Sequence, residues 1–197
     1  MKNIYLIVLA TLLFSCSGGE GESGPDSVKN TDSALFREFL KEVPDTNLPM
    51  VVNCGFLDVH RIKEKPRFAK YLSDYIEVVA KYKWQGKIIL VFYGGVADIY
   101  FPIICSYDES GNLLDSLGLH GECCYSSTEF ESSSFASISN TIDIIIKDTI
   151  KTFLYYEDDT SYKRTLDSVI STVTEYKMNA AGKFEHIKKE KKITVER

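Results

Sequence analysis

His120-Gly121-Glu122-Cys123-Cys124 places an imidazole, a carboxylate and two thiols within five residues. These are zinc or copper ligand types, but structural zinc sites use two separated ligand pairs and no second cluster in the sequence complements this one. Cysteine–histidine catalysis needs a thiolate beside a base. His120 is near in sequence, yet an oxidised cysteine pair would have no nucleophile. The expected reading is a disulfide or a buried thiol beside a turn. Gly94-Gly95 follows an apolar run, as a phosphate loop does, but both the Gly-x-Gly-x-x-Gly and the Walker spacings are absent, which points to a turn or bulge. Glu157-Asp158-Asp159 could hold a hard cation through carboxylates. It lacks the alternating calcium-loop spacing, so a solvated loop is expected. No Gly-x-Ser-x-Gly or His-Glu-x-x-His occurs. No residue is therefore assigned a catalytic, cofactor-binding or metal-binding role. Tyr93, Tyr100, Tyr107, Tyr155, Tyr156 and Tyr162 fall near expected strand ends. They read either as a binding rim or as partly buried sheet residues.

The chain has five cysteines. Cys54, Cys105, Cys123 and Cys124 either pair, as cysteines of exported proteins do, or stay as buried thiols acting as small apolar residues. Neighbouring residues of a strand point to opposite faces. Cys123 and Cys124 therefore share a partner side only in a loop, which Gly121 favours. The expected bond runs from Cys105 to one of this pair.

Cys16 differs in role. Lys2 precedes an apolar run from Ile4 to Leu13, the layout of a secretory signal. A membrane-spanning helix needs about 20 residues, and the run is half as long. Ser17-Gly18-Gly19-Glu20-Gly21-Glu22-Ser23-Gly24-Pro25 follows at once and continues neither helix nor core. The run ends Leu13-Phe14-Ser15-Cys16, which resembles the lipobox of bacterial lipoproteins. Leu13, Ser15 and Cys16 match, and Phe14 is larger than the usual residue. The resemblance covers residues 1–16 alone and says nothing about fold. It implies a type II signal peptide, cleavage before Cys16, and a diacylglyceryl thioether on its sulfur. Several acyl chains such as palmitate hold a protein stably, whereas one holds marginally. Ser17 in place of aspartate implies the outer membrane, and Glu20 and Glu22 are similar to the acidic signal that carries some lipoproteins to the surface. The membrane is thus the expected partner, through the anchor, with the domain on the periplasmic or surface face.

Cleavage would remove one lysine of the 23 basic residues, leaving 22 against 28 acidic. That balance argues against a nucleic-acid partner, because phosphate binding runs on Lys and Arg. The basic cluster Lys188-Lys189-Glu190-Lys191-Lys192 reads as a solvated strand face. Three segments result: a signal peptide over 1–15, the lipidated cysteine and a flexible Gly/Ser/acid-rich tether over 16–30, and a single globular domain over 31–197.

Within the domain, Leu35, Phe36, Phe39, Leu40 and Val43 predict a helix over 33–43, stopped by Pro44. Leu48 to Cys54 reads as extended. Phe68, Tyr71, Leu72, Tyr75, Ile76 and Val79 recur at three and four, predicting a second helix over 66–81 from Pro66. Ile88 to Tyr93 is a central strand. Ile99 to Tyr107 and Leu113 to Leu119, around the turn signal Asp108-Glu109-Ser110-Gly111-Asn112, form a hairpin. Further strands are expected near 133–138, over Ile142–Ile146 and Thr149–Tyr156 around a tight turn at Lys147-Asp148, and over Ser168–Met178. The last, Lys183–Val195, follows an Asn179–Gly182 turn as a charged edge. The fold class is α+β: two N-terminal helices followed by a curled antiparallel β-meander of about seven or eight strands.

Phe36 to Pro49 and the Ser106–Leu117 segment also resemble uncharacterised bacterial lipoproteins of similar length. That resemblance implies no activity. The expected function is a lipid-anchored, non-enzymatic binding or structural domain of the cell envelope. An immunity-type or inhibitory partner protein, or an envelope hydrolase, are the alternatives.

Overall fold

The computed structural model describes residues 25–54, 62, 65–72, 76–96, 99–120, 126–127, 129–158 and 161–195. For 25–31, 96, 99–100, 155–158 and 161–163 it describes the backbone alone. One helix, α1 (Pro25–Glu42), precedes β1 (Met50–Asn53) and a single 3-10 turn at Lys65–Phe68. Then come β2 (Ile76–Trp84), β3 (Lys87–Val96), β4 (Ile99–Tyr107), β5 (Leu113–Gly118) and β6 (Phe130–Ile138). Three long strands close the series: β7 (Asp143–Asp158), β8 (Ser161–Met178) and β9 (Phe184–Val195). They form two antiparallel sheets. Sheet A has the order β2-β3-β4-β5, and sheet B the order β1-β6-β7-β8-β9.

β3 explains the layering. Every residue from Ile88 to Tyr93 is buried. Alternate side chains of a strand leave on opposite faces, so both faces need a cover. Ile88, Leu90 and Phe92 pack with Phe36, Phe39 and Val43 of α1 and with Phe68, Tyr71 and Leu72. Ile89 and Val91 pack with Val52, Ala136, Ile138, Ile144, Ile146 and Met178 of sheet B. The order is helix, sheet A, sheet B, with a core in each gap. Each such side chain contributes about 1.5–3 kcal/mol on full burial.

Turn chemistry ties the layers together. Asp108 Oδ1 accepts the Ser110 and Asn112 N–H groups, each at 2.9 Å. Gly111 has φ +87°, and a Cβ there would lie 2.5 Å from Phe36 Cγ, so a side chain is excluded twice over. The β8–β9 turn docks on β4 and β5 of sheet A. Ser106 Oγ donates to Gly182 O, Lys183 Nζ donates to Leu114 O, and the Phe184 N–H donates to Asp115 Oδ2 at 2.8 Å.

The architecture corrects the expected α+β fold of two helices and one curled meander: one helix and nine strands in two sheets are present among the described residues. The second helix over 66–81 is absent. Phe68, Tyr71 and Leu72 are buried by the 3-10 turn, in which the Tyr71 and Leu72 N–H groups both donate to Phe68 O at 2.8 and 2.9 Å. The chain then extends as β2. Its apolar residues run at a period of two, interrupted by a bulge between Val78 and Ala80. That one-residue slip mimics helical spacing in the sequence. Val78 pairs with Phe92 and joins the α1-side core, while Ala80 pairs with Val91.

The expected turn at Lys147-Asp148 is also absent, and β7 runs through it. Lys147 pairs with Phe135 and Val173, and Asp148 with Ser134 and Thr172. The Asp148 carboxylate, 4% exposed, accepts the Ser134 hydroxyl, so a residue that signals a turn in sequence is satisfied inside a central strand. At the other end of the chain, α1 begins at Pro25 and takes in residues 25–30 of the expected tether. Proline is well suited to a first helical position.

Candidate functional site

The structure separates the residues singled out from sequence. Cys16, Gly121, Glu122, Cys123 and Cys124 lie outside the described residues. Cys54 is disulfide-bonded. Cys105 is a free, buried thiol, so the expected bridge from it is not formed. It faces the α1-side core beside Tyr107. Burial pushes its thiol up to about 11, with the Asp115 charge adding to the rise and a hydrogen bond with Tyr107 opposing it. At neutral pH it holds its proton and is no nucleophile. His120 stacks at a tilt against Phe101, ring centroids 4.8 Å apart. Its buried Nδ1 has no hydrogen-bond partner among the described residues. Among the described residues, no three His, Cys, Asp or Glu side chains are placed to hold a metal ion.

Gly94 and Gly95 are neither a turn nor a bulge. They sit within β3, opposite Phe101 and Tyr100. A Cβ on Gly94 would stand 3.0 Å from Ile103 Cδ1, so the glycine permits a close side-chain approach. Glu157 and Asp158 end β7, with backbone alone described, and Asp159 is outside the described residues. Of the six tyrosines, Tyr93 and Tyr107 are described with their side chains. Tyr93 and Tyr107 are both buried, Tyr107 in the α1-side core. The Tyr93 hydroxyl donates to Asn53 O at 2.6 Å and so links the two sheets. Burial pushes it up to about 12, against the opposing effect of that bond. Tyr100, Tyr155, Tyr156 and Tyr162 are described by backbone alone. Lys188 to Lys192 lie exposed on β9, an edge strand, where Lys188 Nζ meets Glu190 Oε1 at 2.7 Å.

A different place has the character of a site. Between the C-terminal half of α1 and the β2–β3 hairpin is a cleft of about 340 Å³, lined by Arg37, Leu40, Lys41, Lys81, Tyr82, Lys83 and Ile88. Four of these seven are cationic and none is acidic, in a chain of net charge -5. Helix periodicity puts Arg37 and Lys41 on one face, at i and i+4, with Leu40 beside them. Strand pairing sets Lys81 opposite Leu90 and Lys83 opposite Ile88, on the sheet face turned to α1. Leu40 and Ile88 make the floor apolar.

The four cations are not equivalent. Lys81 is held inward, its side chain 18% exposed. Its ammonium donates to Leu40 O at 2.6 Å and to Val43 O at 2.7 Å, with Asp45 Oδ2 3.5 Å away. It thereby satisfies carbonyls that the end of α1 leaves without helical partners and offsets the negative end of the helix dipole. The Arg37 guanidinium bonds within its own helix turn, from Nε to Ser33 O at 3.2 Å and from Nη2 to Ser33 Oγ at 3.4 Å. Among the described residues, neither Lys41 nor Lys83 has a hydrogen-bond or ion-pair partner. The nearby acid Glu38 is taken by Arg67.

Sequence reading passed over all four. Arg37-x-x-x-Lys41 was legible as a like-charge pair at helical spacing. Lys81 had no such signal while 66–81 reads as helix, and Lys83 lies beyond that segment. Compared with protein-family models, with curated proteins and with solved structures, the chain matches none.

Proposed function

We propose that the protein is a bacterial cell-envelope lipoprotein, anchored through lipid on Cys16, whose domain is a non-enzymatic binding module with the α1–β2 cleft as its site. The lining of that cleft carries the reading. It is a concave, partly apolar surface edged by unpaired cations. Among the described residues, the void between the sheets lined by Leu48, Met50, Val91, Ile104 and their neighbours is about 10 Å³, at the lower bound for one water. The anchor rests on Leu13-Phe14-Ser15-Cys16 and the short apolar run before it.

Cys16→Ala, expressed in a bacterial host and followed by fractionation and fatty-acid labelling, tests the anchor. The expected result is loss of lipid label and of stable membrane association. Retention of both would exclude Cys16 as the attachment point.

A further inference from the structure

We infer that the α1–β2 cleft binds a small amphiphilic anion: a phosphate or carboxylate head joined to a short hydrocarbon body. The inference rests on the binding-module reading and names the ligand class for its site. Three observations lead to it. Arg37 and Lys41 stand at i and i+4 on an exposed helix face, an arrangement of like charges that weakens a helix. The chain has an excess of acids, 28 against 23 basic residues, yet places none in this lining. Lys41 and Lys83 project from two different elements at the cleft without partners among the described residues. An anionic head between Arg37, Lys41 and Lys83 supplies the missing counter-charge through charge-assisted hydrogen bonds.

The floor decides that the ligand is not an anion alone. Leu40 and Ile88 line the space below the cations, and a free phosphate would leave them bare. A volume of about 340 Å³ lies at the small end of ligand pockets. Lys81 is the positioning residue. By holding the Leu40 and Val43 carbonyls it keeps the negative end of α1 from repelling the head group. The same chemistry has two sources, a free amphiphile or the head group of a lipid in the membrane to which the protein is tethered.

The test uses the full, anchored protein in nanodiscs of phosphatidylcholine, titrated with hexyl phosphate by calorimetry, with inorganic phosphate in parallel. Hexyl phosphate is expected to bind saturably and more tightly than inorganic phosphate, and more weakly as salt rises. Lys41→Gln with Lys83→Gln, two exposed positions, should weaken it by about tenfold or more, since each hydrogen bond to a charged group is worth about that factor. Lys191→Gln with Lys192→Gln on β9 removes the same charge elsewhere and should leave affinity unchanged. Repeating the titration in discs containing phosphatidylglycerol distinguishes the sources. Competition by the lipid identifies the membrane head group, and an unchanged affinity identifies a free amphiphile; either outcome supports the site. Absence of saturable binding, equal affinity for inorganic phosphate, or equal loss in the β9 variant would overturn the inference. An anchor failure is distinguishable, because it shows in fractionation of Cys16→Ala and leaves hexyl phosphate binding intact.

Discussion

The two faces of sheet A carry different cores. On the α1 side the contacts are largely between rings: Phe36 with Tyr71 at 5.1 Å, Phe39 with Tyr71 at 5.2 Å, Phe36 with Tyr107 at 5.4 Å and Phe39 with Phe68 at 5.5 Å. On the sheet B side the buried residues are Val, Ile, Leu, Ala and Met. A helix on a pleated sheet leaves an irregular gap, which large rings span. Two facing sheets interdigitate branched aliphatics and close the space between them. The difference bears on the site. Beside the rings, at Arg37, Leu40 and Lys41 of α1, lies the cationic cleft, whereas the void between the sheets lined by Leu48, Met50, Val91 and Ile104 is about 10 Å³.

That contrast can be broken at its centre. Phe36 is fully buried and touches both Tyr71 and Tyr107. Phe36→Ala should cost about 3–5 kcal/mol in urea unfolding, against about 0.5–1.5 for Ile144→Val in the aliphatic core. Gly111→Ala should also destabilise, because its Cβ would strike Phe36 and its φ is +87°. In the Phe36→Ala background the contacts with Cγ and Cδ1 go and the one with Phe36 Cβ at 2.7 Å stays, so the steric part of that cost should shrink. Simple additivity of the two changes would show that the turn does not press on the ring.

A smaller test concerns ionisation. Burial raises Tyr93 to about 12 and Cys105 to about 11, and raises Tyr107 as well, with the neighbouring Cys105 and Tyr71 adding to it. The folded state keeps protons that the unfolded chain releases from about pH 8.5 for cysteine and about pH 10 for tyrosine. Stability should therefore fall as pH rises through that range. Two of these three groups, Cys105 and Tyr107, belong to the α1-side core. Cys105→Ala should remove the early part of the fall, and an unchanged alkaline profile would remove Cys105 from the account. Thiol-labelling of native protein at neutral pH should spare Cys105 until denaturant is added.

Lys81→Met keeps the stem and removes the ammonium that closes α1. The expected cost is about 1.5–3 kcal/mol, the range for hydrogen bonds to charged groups. Circular dichroism should show fraying of the helix end while the strand signal holds. A loss confined to the strands would contradict the capping role.

The mildest effect is at acid pH. The Thr141 hydroxyl foremost, then Ser139 and the Lys177 charge, hold Asp143 below the usual carboxylate range against a little burial. At Asp108 slight burial works upward, and hydrogen bonds from the Asn112 side chain and the Asn112, Ser110 and Gly111 amides outweigh it. Both lowered groups stabilise the fold above the unfolded value near 3.9 and lose that contribution as pH falls from there through their lower folded values. The turns are exposed, so the effect is screened and small. Asp108→Asn and Asp143→Asn should each flatten the acid limb of a stability–pH curve without shifting the alkaline one.

The sequence by itself determined the pieces whose chemistry is local. Ile88 to Tyr93 is buried on both faces, as an unbroken apolar run must be. The Asp108–Asn112 and Asn179–Gly182 turns bond within themselves through Asp108 and Asn179. β9 is a charged edge, as its lysines indicate. The tertiary structure decided the rest. Partners far apart in the chain set which strands share a sheet: β1 joins β6, some eighty residues on. Pairing with β3 made β2 a strand although its bulged pattern reads as a helix. Ser134 made a buried strand position acceptable to Asp148. The cleft followed from those choices, since Lys81 and Lys83 face Arg37 and Lys41 only once β2 lies against α1. Hydrogen bonds within a turn need only neighbours in sequence, but a lining shared by a helix and a strand needs the pairing that brings them together.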